Sequence, residues 1–361
     1  MPRRRRYQEE KPDYYTQREW NRIMQREAAQ KKASLKLFLV FILMLALVAA
    51  AAYFVYHQVF ASHDTDLNLG FDAWAASVGG ESAEDLAKAE PFAAGLCVTD
   101  GDVDANAVFI TATEGALFDR SNEEVLYAKN IFEQRSPASI TKVMTALVAM
   151  KYGNVDDMVT VTSTAFDIEE GSSVCELNLG DRLSLKQLLY GLLIASGNDA
   201  AMMIAEHVGG SVDAFVALMN QEALALGATH TNFMNPHGLT ADGHYTCAYD
   251  IYLMMNEAMS YDLFMDIIQR KNYYAEYTDA SGDAYAMTWE TTDHYLTGEA
   301  AEPDNVIIYG GKTGTTDDAG ACLALITKDL YGNPYISVIM NSESKESLYP
   351  EMNQILSLVP A

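Results

Sequence analysis

The sequence has few basic residues beyond its first tenth. The whole chain of 361 residues carries 24 Lys and Arg against 50 Asp and Glu. The first 36 residues hold 11 of the basic and 5 of the acidic residues, which leaves 13 basic and 45 acidic residues for the rest. A surface this acidic repels polyanions, so we expect no nucleic-acid partner.

Metal-binding patterns are also missing. The four cysteines form no C-x-x-C pair, and the seven histidines include no H-E-x-x-H spacing, so we expect no zinc site. Residues 100–104 alternate with aspartates as calcium loops do, but Ala105 stands where such a loop needs glycine. The cysteines are either disulfide-bonded or buried free thiols, and their spacing leaves both alternatives open: Cys97, Cys175, Cys247 and Cys322.

One long uncharged run lies near the N-terminus. Leu37 to Tyr56 comprises 20 residues without a charge, enough to cross a bilayer as a helix. Basic residues precede this run, and Asp64 and Asp66 follow it. The positive-inside rule then predicts a cytoplasmic N-terminus and an external C-terminal part. A cleaved signal peptide is the alternative, although the run is long for one and no clear cleavage site follows.

Composition divides the chain into four parts. Residues 1–34 form a basic arm, predicted to be cytoplasmic, and residues 35–60 a transmembrane signal-anchor helix. Residues 61–93 are rich in Ala, Asp, Glu and Gly and are interpreted as a juxtamembrane spacer. Residues 94–361 have the mixed apolar patterning of a globular catalytic domain.

The globular part alternates between strand and helix periodicity. Helices are predicted over 139–150, 185–194, 200–208, 212–226, 248–259 and 347–358, with Ser184 as the N-cap of the second. Short strands are predicted over 97–98, 108–110, 125–127, 273–278, 284–289, 306–309, 322–326 and 335–340. Strands on both sides of a long helical stretch favour an α+β fold, with an antiparallel sheet covered by helices.

Ser139 and Lys142 are three positions apart on a predicted helix and therefore share one face. A serine nucleophile needs a group to accept its proton, and a lysine can do so when burial or a second cation lowers its pKa. The four-residue pattern is weak by itself, because Ser342 and Lys345 repeat it near the C-terminus. That second copy lacks downstream partners, and we interpret it as a surface turn.

Ser196-Gly197-Asn198 stands between two predicted helices. A junction of this kind can direct the Ser196 hydroxyl and the Asn198 amide into a cleft. The hydroxyl suits proton transfer to a leaving amine, and the amide suits a substrate carbonyl. The alternative is a simple helix linker in which Asn198 caps the second helix.

Lys312-Thr313-Gly314-Thr315 follows a predicted apolar strand. A peptide can dock beside such a strand, and Lys312 with the two threonine hydroxyls would bind a terminal carboxylate. The segment is not the end of a P-loop, because Val306 stands where that motif needs glycine.

Four segments in this order resemble the low-molecular-mass penicillin-binding proteins, which are serine-type D-alanyl-D-alanine carboxypeptidases of the β-lactamase/transpeptidase superfamily. They are residues 137–146, 196–200, 235–239 and 310–314. The resemblance implies an antiparallel sheet packed with helices plus a helical subdomain, with the site between them. It implies a membrane-bound bacterial enzyme that needs no metal or organic cofactor.

The resemblance also implies roles for eight residues. Ser139 is the nucleophile, Lys142 its base and Ser196 a proton shuttle. Substrate-binding roles fall to Asn198, Lys312, Thr313, Gly314 and Thr315, and the N–H groups of Ser139 and Thr315 would form the oxyanion hole. The implied partners are peptidoglycan stem peptides ending in D-Ala-D-Ala, with β-lactams as covalent inhibitors.

Three other functions compete with this one. A D,D-endopeptidase acting on cross-links would use the same nucleophile, and a penicillin-binding sensor or scaffold would have a silent site. A class A β-lactamase would need a glutamate to activate the deacylating water, and residues 231–240 contain none. The expected activity is therefore removal of the terminal D-alanine from stem pentapeptides through an acyl-enzyme on Ser139.

Overall fold

The computed structural model describes residues 93–360. The predicted basic arm, the transmembrane helix and all but the last residue of the predicted spacer lie outside the described residues. Among the described residues, no single helix is long and apolar enough to span a bilayer, and one pair bent by 85° passes the same test only when its two helices are taken together.

The described chain alternates strands and helices. In chain order the elements are β1 (Glu114–Asp119), β2 (Glu124–Lys129), α1 (Thr141–Tyr152), β3 (Met158–Thr160), β4 (Arg182–Ser184), α2 (Leu185–Leu193), α3 (Asn198–Gly209), α4 (Val212–Ala225), α5 (Ala248–Ala258), α6 (Asp262–Ile268), β5 (Asn272–Thr278), β6 (Ala284–Glu290), α7 (His294–Thr297), β7 (Val306–Thr316), β8 (Gly320–Asp329), β9 (Pro334–Ser342) and α8 (Lys345–Leu356). Short 3₁₀ turns at Ala138–Ile140 and Ser163–Phe166 complete the list.

The main sheet has five antiparallel strands in the order β2-β1-β9-β8-β7. One core cluster packs α8 against a face of this sheet, and a larger cluster joins the sheet to α1 and α5. With both faces covered, the central strands β8 and β9 are almost continuously buried, as expected for strands without a solvent-facing side. The predicted α+β fold, an antiparallel sheet packed with helices, is confirmed.

Helices α1 to α5 form the region on one side of this sheet. Helix α1 lies at the centre and is buried along its first nine residues. Ser184 caps α2 as predicted, in a reciprocal capping box with Gln187. A second antiparallel sheet, in the order β3-β4-β5-β6, adjoins α2 and brings the β5–β6 hairpin towards the same region.

Several strand predictions need correction. Residues 97–98 and 108–110 form no strand: Cys97 and Ile110 pack into the core from irregular segments, and Phe109 is 79% exposed. The sequence analysis missed β1, whose six residues are all buried and so show no alternation. Strand β7 continues seven residues beyond the predicted end at Tyr309 and includes the whole lysine-containing motif.

Candidate active site

The three predicted motifs meet in one cleft of about 110 Å³. Ser139 lies on the turn before α1, Ser196 on the α2–α3 junction, and Thr313, Gly314 and Thr315 on β7. Lys142, Asn198 and Lys312 are buried directly behind these residues. All eight residues predicted from the sequence therefore lie in or against the same cleft.

Ser139 is held on a 3₁₀ turn that leads into the N-terminus of α1. The turn requires positive φ at Ala138, which has φ of 46°. Gly314 of β7 passes so close that an added Cβ would lie 2.9 Å from the Ser139 backbone nitrogen. The nucleophile thus lies between the positive end of α1 and the backbone of β7, where negative charge on its oxygen is stabilised.

Three oxygen atoms lie within hydrogen-bonding distance of the Lys142 Nζ. Its Nζ lies 2.9 Å from the Ser139 Oγ, 2.7 Å from the Asn198 Oδ1 and 2.7 Å from the His237 carbonyl oxygen. The last two atoms can only accept hydrogen bonds. A neutral amine has two N–H donors for these two acceptors, which leaves its lone pair directed at the Ser139 hydroxyl.

Electrostatics favour this neutral form. The Lys142 pKa lies well below its usual value, because the side chain is fully buried and because Lys312 adds a second positive charge nearby. Asp199 opposes this effect only partly. A depressed lysine pKa and a serine hydroxyl 2.9 Å away are what a general base for nucleophilic attack requires.

The Ser196-Gly197-Asn198 junction is strained at Ser196, whose φ is 60°. Gly197 has no room for a side chain, because an added Cβ would lie 2.2 Å from the Cys175 Sγ. The Asn198 N–H donates to the Ser173 carbonyl at 2.8 Å. This tight turn directs the Ser196 hydroxyl into the cleft, as predicted, whereas the Asn198 amide, also predicted to enter the cleft, is buried against Lys142.

Lys312 differs from Lys142 in its partners. Its Nζ donates to the Ser196 Oγ at 2.9 Å and to the Thr313 carbonyl at 2.8 Å. Burial lowers its pKa to about 7, opposed by Asp293 and assisted by Lys345. In the charged form one N–H remains available for an anionic ligand in the cleft.

Strand β7 is an edge strand of the five-stranded sheet, so within residues 93–360 one side of it has no strand partner. Two glycines let β7 pass close to neighbouring backbone. A Cβ added at Gly310 would lie 2.0 Å from the Ile268 carbonyl oxygen, and one added at Gly311 would lie 2.0 Å from the Ala324 carbonyl oxygen. The Thr313 hydroxyl lies 2.5 Å from that of Thr292. An extended peptide can add to such an edge.

The loop over residues 235–239 closes the site behind the nucleophile. Besides the His237 carbonyl on Lys142, its Asn235 side chain accepts the Gly238 N–H at 2.7 Å. Burial lowers the pKa of His237 to about 3, so its ring is neutral at physiological pH. His237 contacts Lys142 through its backbone carbonyl, and its ring Nδ1 accepts the Leu239 N–H at 3.2 Å within the loop.

Six residues that line the cleft were not predicted from the sequence: Ser173, Thr292, His294, Lys345, Leu348 and Tyr349. The first three lie in segments that contact the motifs only in the folded chain. Lys345 belongs to the second S-x-x-K pattern, whose interpretation as a surface turn was wrong. Ser342 is buried at the end of β9, Ser344 caps α8, and Lys345 opens that helix at the edge of the cleft.

The four cysteines are free and buried, which resolves the open alternative in favour of thiols. Within residues 93–360, one cluster of potential metal ligands is found, formed by His230, Cys247 and Asp250. Asp250 accepts hydrogen bonds from the His230 N–H and the Thr231 hydroxyl, and Cys247 is the N-cap residue of α5. These contacts give the cluster a structural role at the start of that helix.

The chain was compared with known families and proteins. The D-alanyl-D-alanine carboxypeptidase family (peptidase S11) matches residues 102–344. DacF, a D-alanyl-D-alanine carboxypeptidase of Bacillus subtilis, is 35% identical over 220 residues, which cover 60% of this chain and 54% of the relative. The Escherichia coli carboxypeptidase DacC is 32% identical over 277 residues, 74% of this chain and 64% of the relative. The chain thus spans between about half and two thirds of these relatives' length.

Solved structures share the fold. The crystal structure of the Streptomyces K15 DD-transpeptidase superposes with a TM-score of 0.65 at 28% identity and covers 70% of this chain and 97% of its own. The D-alanyl-D-alanine carboxypeptidase of Mycobacterium tuberculosis gives a TM-score of 0.62 at 26% identity, covering 72% of this chain and 94% of its own. With motifs, fold and family model in agreement, this chain belongs to the D-alanyl-D-alanine carboxypeptidase family, peptidase S11.

Proposed function

We propose that this protein is a serine D-Ala-D-Ala carboxypeptidase that removes the terminal D-alanine from peptidoglycan stem pentapeptides. The observation that carries the proposal is the setting of Lys142. Two carbonyl acceptors occupy the donors of its neutral amine, and its remaining lone pair faces the Ser139 hydroxyl at 2.9 Å. A lysine placed in this way activates a serine for acyl transfer at neutral pH.

Acylation begins when the Ser139 Oγ attacks the carbonyl of the penultimate D-alanine and Lys142 takes the hydroxyl proton. The oxyanion of the tetrahedral intermediate is bound by the backbone N–H groups of Ser139 and Thr315. The C–N bond then breaks, and the leaving amine receives a proton through Ser196, whose hydroxyl lies 2.9 Å from Lys312. Water hydrolyses the resulting ester with Lys142 again acting as base.

The terminal carboxylate of the substrate is bound on the β7 side of the cleft. Lys312 offers its remaining N–H, and Thr313 and Thr315 offer hydroxyl groups beside it. Lys345 also lines the cleft and adds positive potential there. A β-lactam carries a carboxylate at the corresponding distance from its reactive carbonyl, so these drugs are expected to acylate Ser139.

The experiment measures free D-alanine released from a pentapeptide ending in D-Ala-D-Ala by the purified full-length chain. Ser139→Ala should abolish both release and covalent labelling by a fluorescent penicillin. Ser342→Ala, in the second S-x-x-K pattern, is the matched control and should retain both. Stable labelling without release from any peptide would refute the carboxypeptidase and favour a penicillin-binding sensor.

A D,D-endopeptidase is the second candidate, and one observation favours it. A second concavity of about 460 Å³ adjoins the carboxylate end of the cleft and shares His294, Lys345 and Tyr349 with it. It offers room beside the leaving group, as a cross-linked substrate requires. Release from a cross-linked dimer but not from the pentapeptide would assign the enzyme to this class.

We also propose that residues 35–60 anchor the protein in the bacterial cell membrane by a single span, with residues 1–34 in the cytoplasm and the catalytic domain outside. The uncharged run of residues 37–56 and the basic residues before it support this arrangement. N-terminal sequencing of the mature protein tests it. A mature chain that begins beyond Ala61 would show cleavage and remove the anchor.

A further inference from the structure

A buried carboxylate lies behind the carboxylate-binding end of the cleft. Asp293 is 2% exposed and precedes the short helix α7. Its Oδ1 accepts the Tyr295 N–H at 3.0 Å, whereas its Oδ2 has no hydrogen-bond partner. Leaving a buried carboxylate oxygen unpaired is costly unless another interaction compensates.

The neighbouring contacts bring this carboxylate close to β7, the strand that carries Lys312. Thr292 precedes Asp293, Lys312 precedes Thr313, and the two threonine hydroxyls are 2.5 Å apart. Lys312 is fully buried, and its two hydrogen-bond partners, Ser196 and the Thr313 carbonyl, are neutral. Among the described residues, no carboxylate forms a direct ion pair with it.

We propose that Asp293 is a positioning residue whose buried negative charge keeps Lys312 protonated and thereby sets the affinity for the substrate's terminal carboxylate. The inference rests on the proposed function and extends it to a residue that no cleft-lining motif contains. Asp293 does not touch the substrate in this scheme, because it is buried and does not line the cleft.

The charges around Asp293 and Lys312 determine the direction in which each pKa is shifted. Lys312 is influenced by Asp293, which favours its charged form, and by Lys345, which opposes it. Lys142 is also near, and the Lys312 charge contributes to lowering its pKa. Asp293 in turn is influenced by Lys312 and His294, which favour its ionised form, and by Glu302, which opposes it. Burial raises the Asp293 pKa to about 6, and that of Lys312 is lowered to about 7.

The pair is therefore poised close to neutral pH. Above the Asp293 pKa its carboxylate is ionised and supports the Lys312 charge. Without that carboxylate, the Lys312 pKa should fall by roughly one unit. The protonated fraction of Lys312 at pH 7 would then decrease about fivefold, whereas at about pH 5 Lys312 would stay protonated with or without it.

Asp293→Asn tests the proposal in the full-length chain. Asparagine caps a helix as well as aspartate does, so the variant keeps the contact to Tyr295 and removes only the charge. KM for a pentapeptide ending in D-Ala-D-Ala should rise about fivefold at pH 7 and should match the wild-type value near pH 5. A KM increase of equal size at both pH values would indicate loop distortion and overturn the proposal.

Asp329→Asn is the matched control. Asp329 is also buried and accepts backbone N–H groups in a turn, but it lies on β8 opposite Val306, whereas Ala324 lies opposite Lys312. Five positions along a strand separate it from Lys312 by about 17 Å. This variant should leave the pH dependence of KM unchanged, and a similar pH-dependent rise would refute a local effect of Asp293.

A second measurement does not depend on activity. In the chain labelled with ¹³C at the lysine ε-carbons, the Lys312 signal is assigned by its loss in Lys312→Gln and followed as a function of pH. Its midpoint should be lower in Asp293→Asn than in the wild type. An unchanged midpoint refutes the role of Asp293 even if the enzyme is active, and a lowered midpoint supports it even if the pentapeptide is not the substrate.

Discussion

Replacing Gly238 by alanine should displace the turn that carries the nucleophile. A Cβ added at Gly238 would lie 1.8 Å from the Ala138 carbonyl oxygen and 2.9 Å from the Thr141 Oγ1. The first contact is with backbone, which cannot rotate away as a side chain can. The Ala138 carbonyl would therefore have to move by roughly 1 Å, and Ser139 is the next residue in the chain.

The structure allows the size of the effect to be worked out. Gly238 has φ of 91°, a conformation that costs an L-residue about 1 to 2 kcal/mol. Overpacking against fixed backbone adds about 1 to 3 kcal/mol, so the free energy of unfolding should fall by roughly 2 to 5 kcal/mol. A nucleophile misplaced by roughly 1 Å loses about 100-fold in rate.

Gly243→Ala supplies the matched control for this prediction. Gly243 has φ of 82° in the same stretch of chain, but the nearest atoms to an added Cβ are side-chain atoms at 3.8 and 3.9 Å. This variant should lose about 1 to 2 kcal/mol of stability and keep its acylation rate. The assays are urea unfolding of both variants and stopped-flow acylation by a fluorescent penicillin at a temperature where both are folded.

Two results would refute the reasoning. Acylation of folded Gly238→Ala at the wild-type rate would mean that the 235–239 loop does not position Ser139. A loss of acylation in Gly243→Ala as large as that in Gly238→Ala would mean that positive φ, rather than the contact with Ala138, controls the site.

Two further predictions concern titrating groups. Lys142→Met should reduce the rate of penicillin acylation by about 100-fold or more, because the base is removed. In the wild type the acylation rate should fall as the pH is lowered through the depressed pKa of Lys142. A flat pH–rate profile would contradict this role. Glu351 accepts hydrogen bonds from Thr111, Ala112 and Ser342, and its pKa is lowered by them. A carboxyl group with a lowered pKa stabilises the fold at pH values above its unfolded-state pKa, and this stabilisation is lost as the pH falls through its folded-state pKa. Glu351→Gln should therefore lower the free energy of unfolding by about 1 to 3 kcal/mol at pH 7 and by much less at pH 3. Urea unfolding at both pH values measures the difference.

Much of the active site follows from local sequence rules. Ser139 and Lys142 share one helical turn because their spacing is three residues, and Ser184 caps α2 because its hydroxyl suits the exposed N–H groups. The order of the three motifs was sufficient to predict the eight cleft residues. Local spacing and hydrogen-bonding chemistry do not depend on the rest of the fold.

Strand boundaries were predicted less well, for a physical reason. Strand β1 is buried along its length by β2 and β9 on its edges and by helices on its faces, so its alternating pattern is absent. Residues 108–110 have strand-forming side chains but find no partner. Strand β7 continues through two glycines. Gly311 is needed there because it passes close to the Ala324 carbonyl of the neighbouring strand, a contact that exists only in the folded sheet.

By itself the sequence predicted the Ser139–Lys142 pair, because the contact between them depends on residues three positions apart in the chain. Only the tertiary structure decided the pKa shifts of the two lysines. The acceptors that favour a neutral Lys142 come from positions 56 and 95 residues away, and the carboxylate beside Lys312 comes from a different loop. Folding likewise brought Lys345 to the cleft, although its sequence pattern was interpreted as a surface turn. A pKa depends on burial and on nearby charges in space, and folding alone brings those groups together.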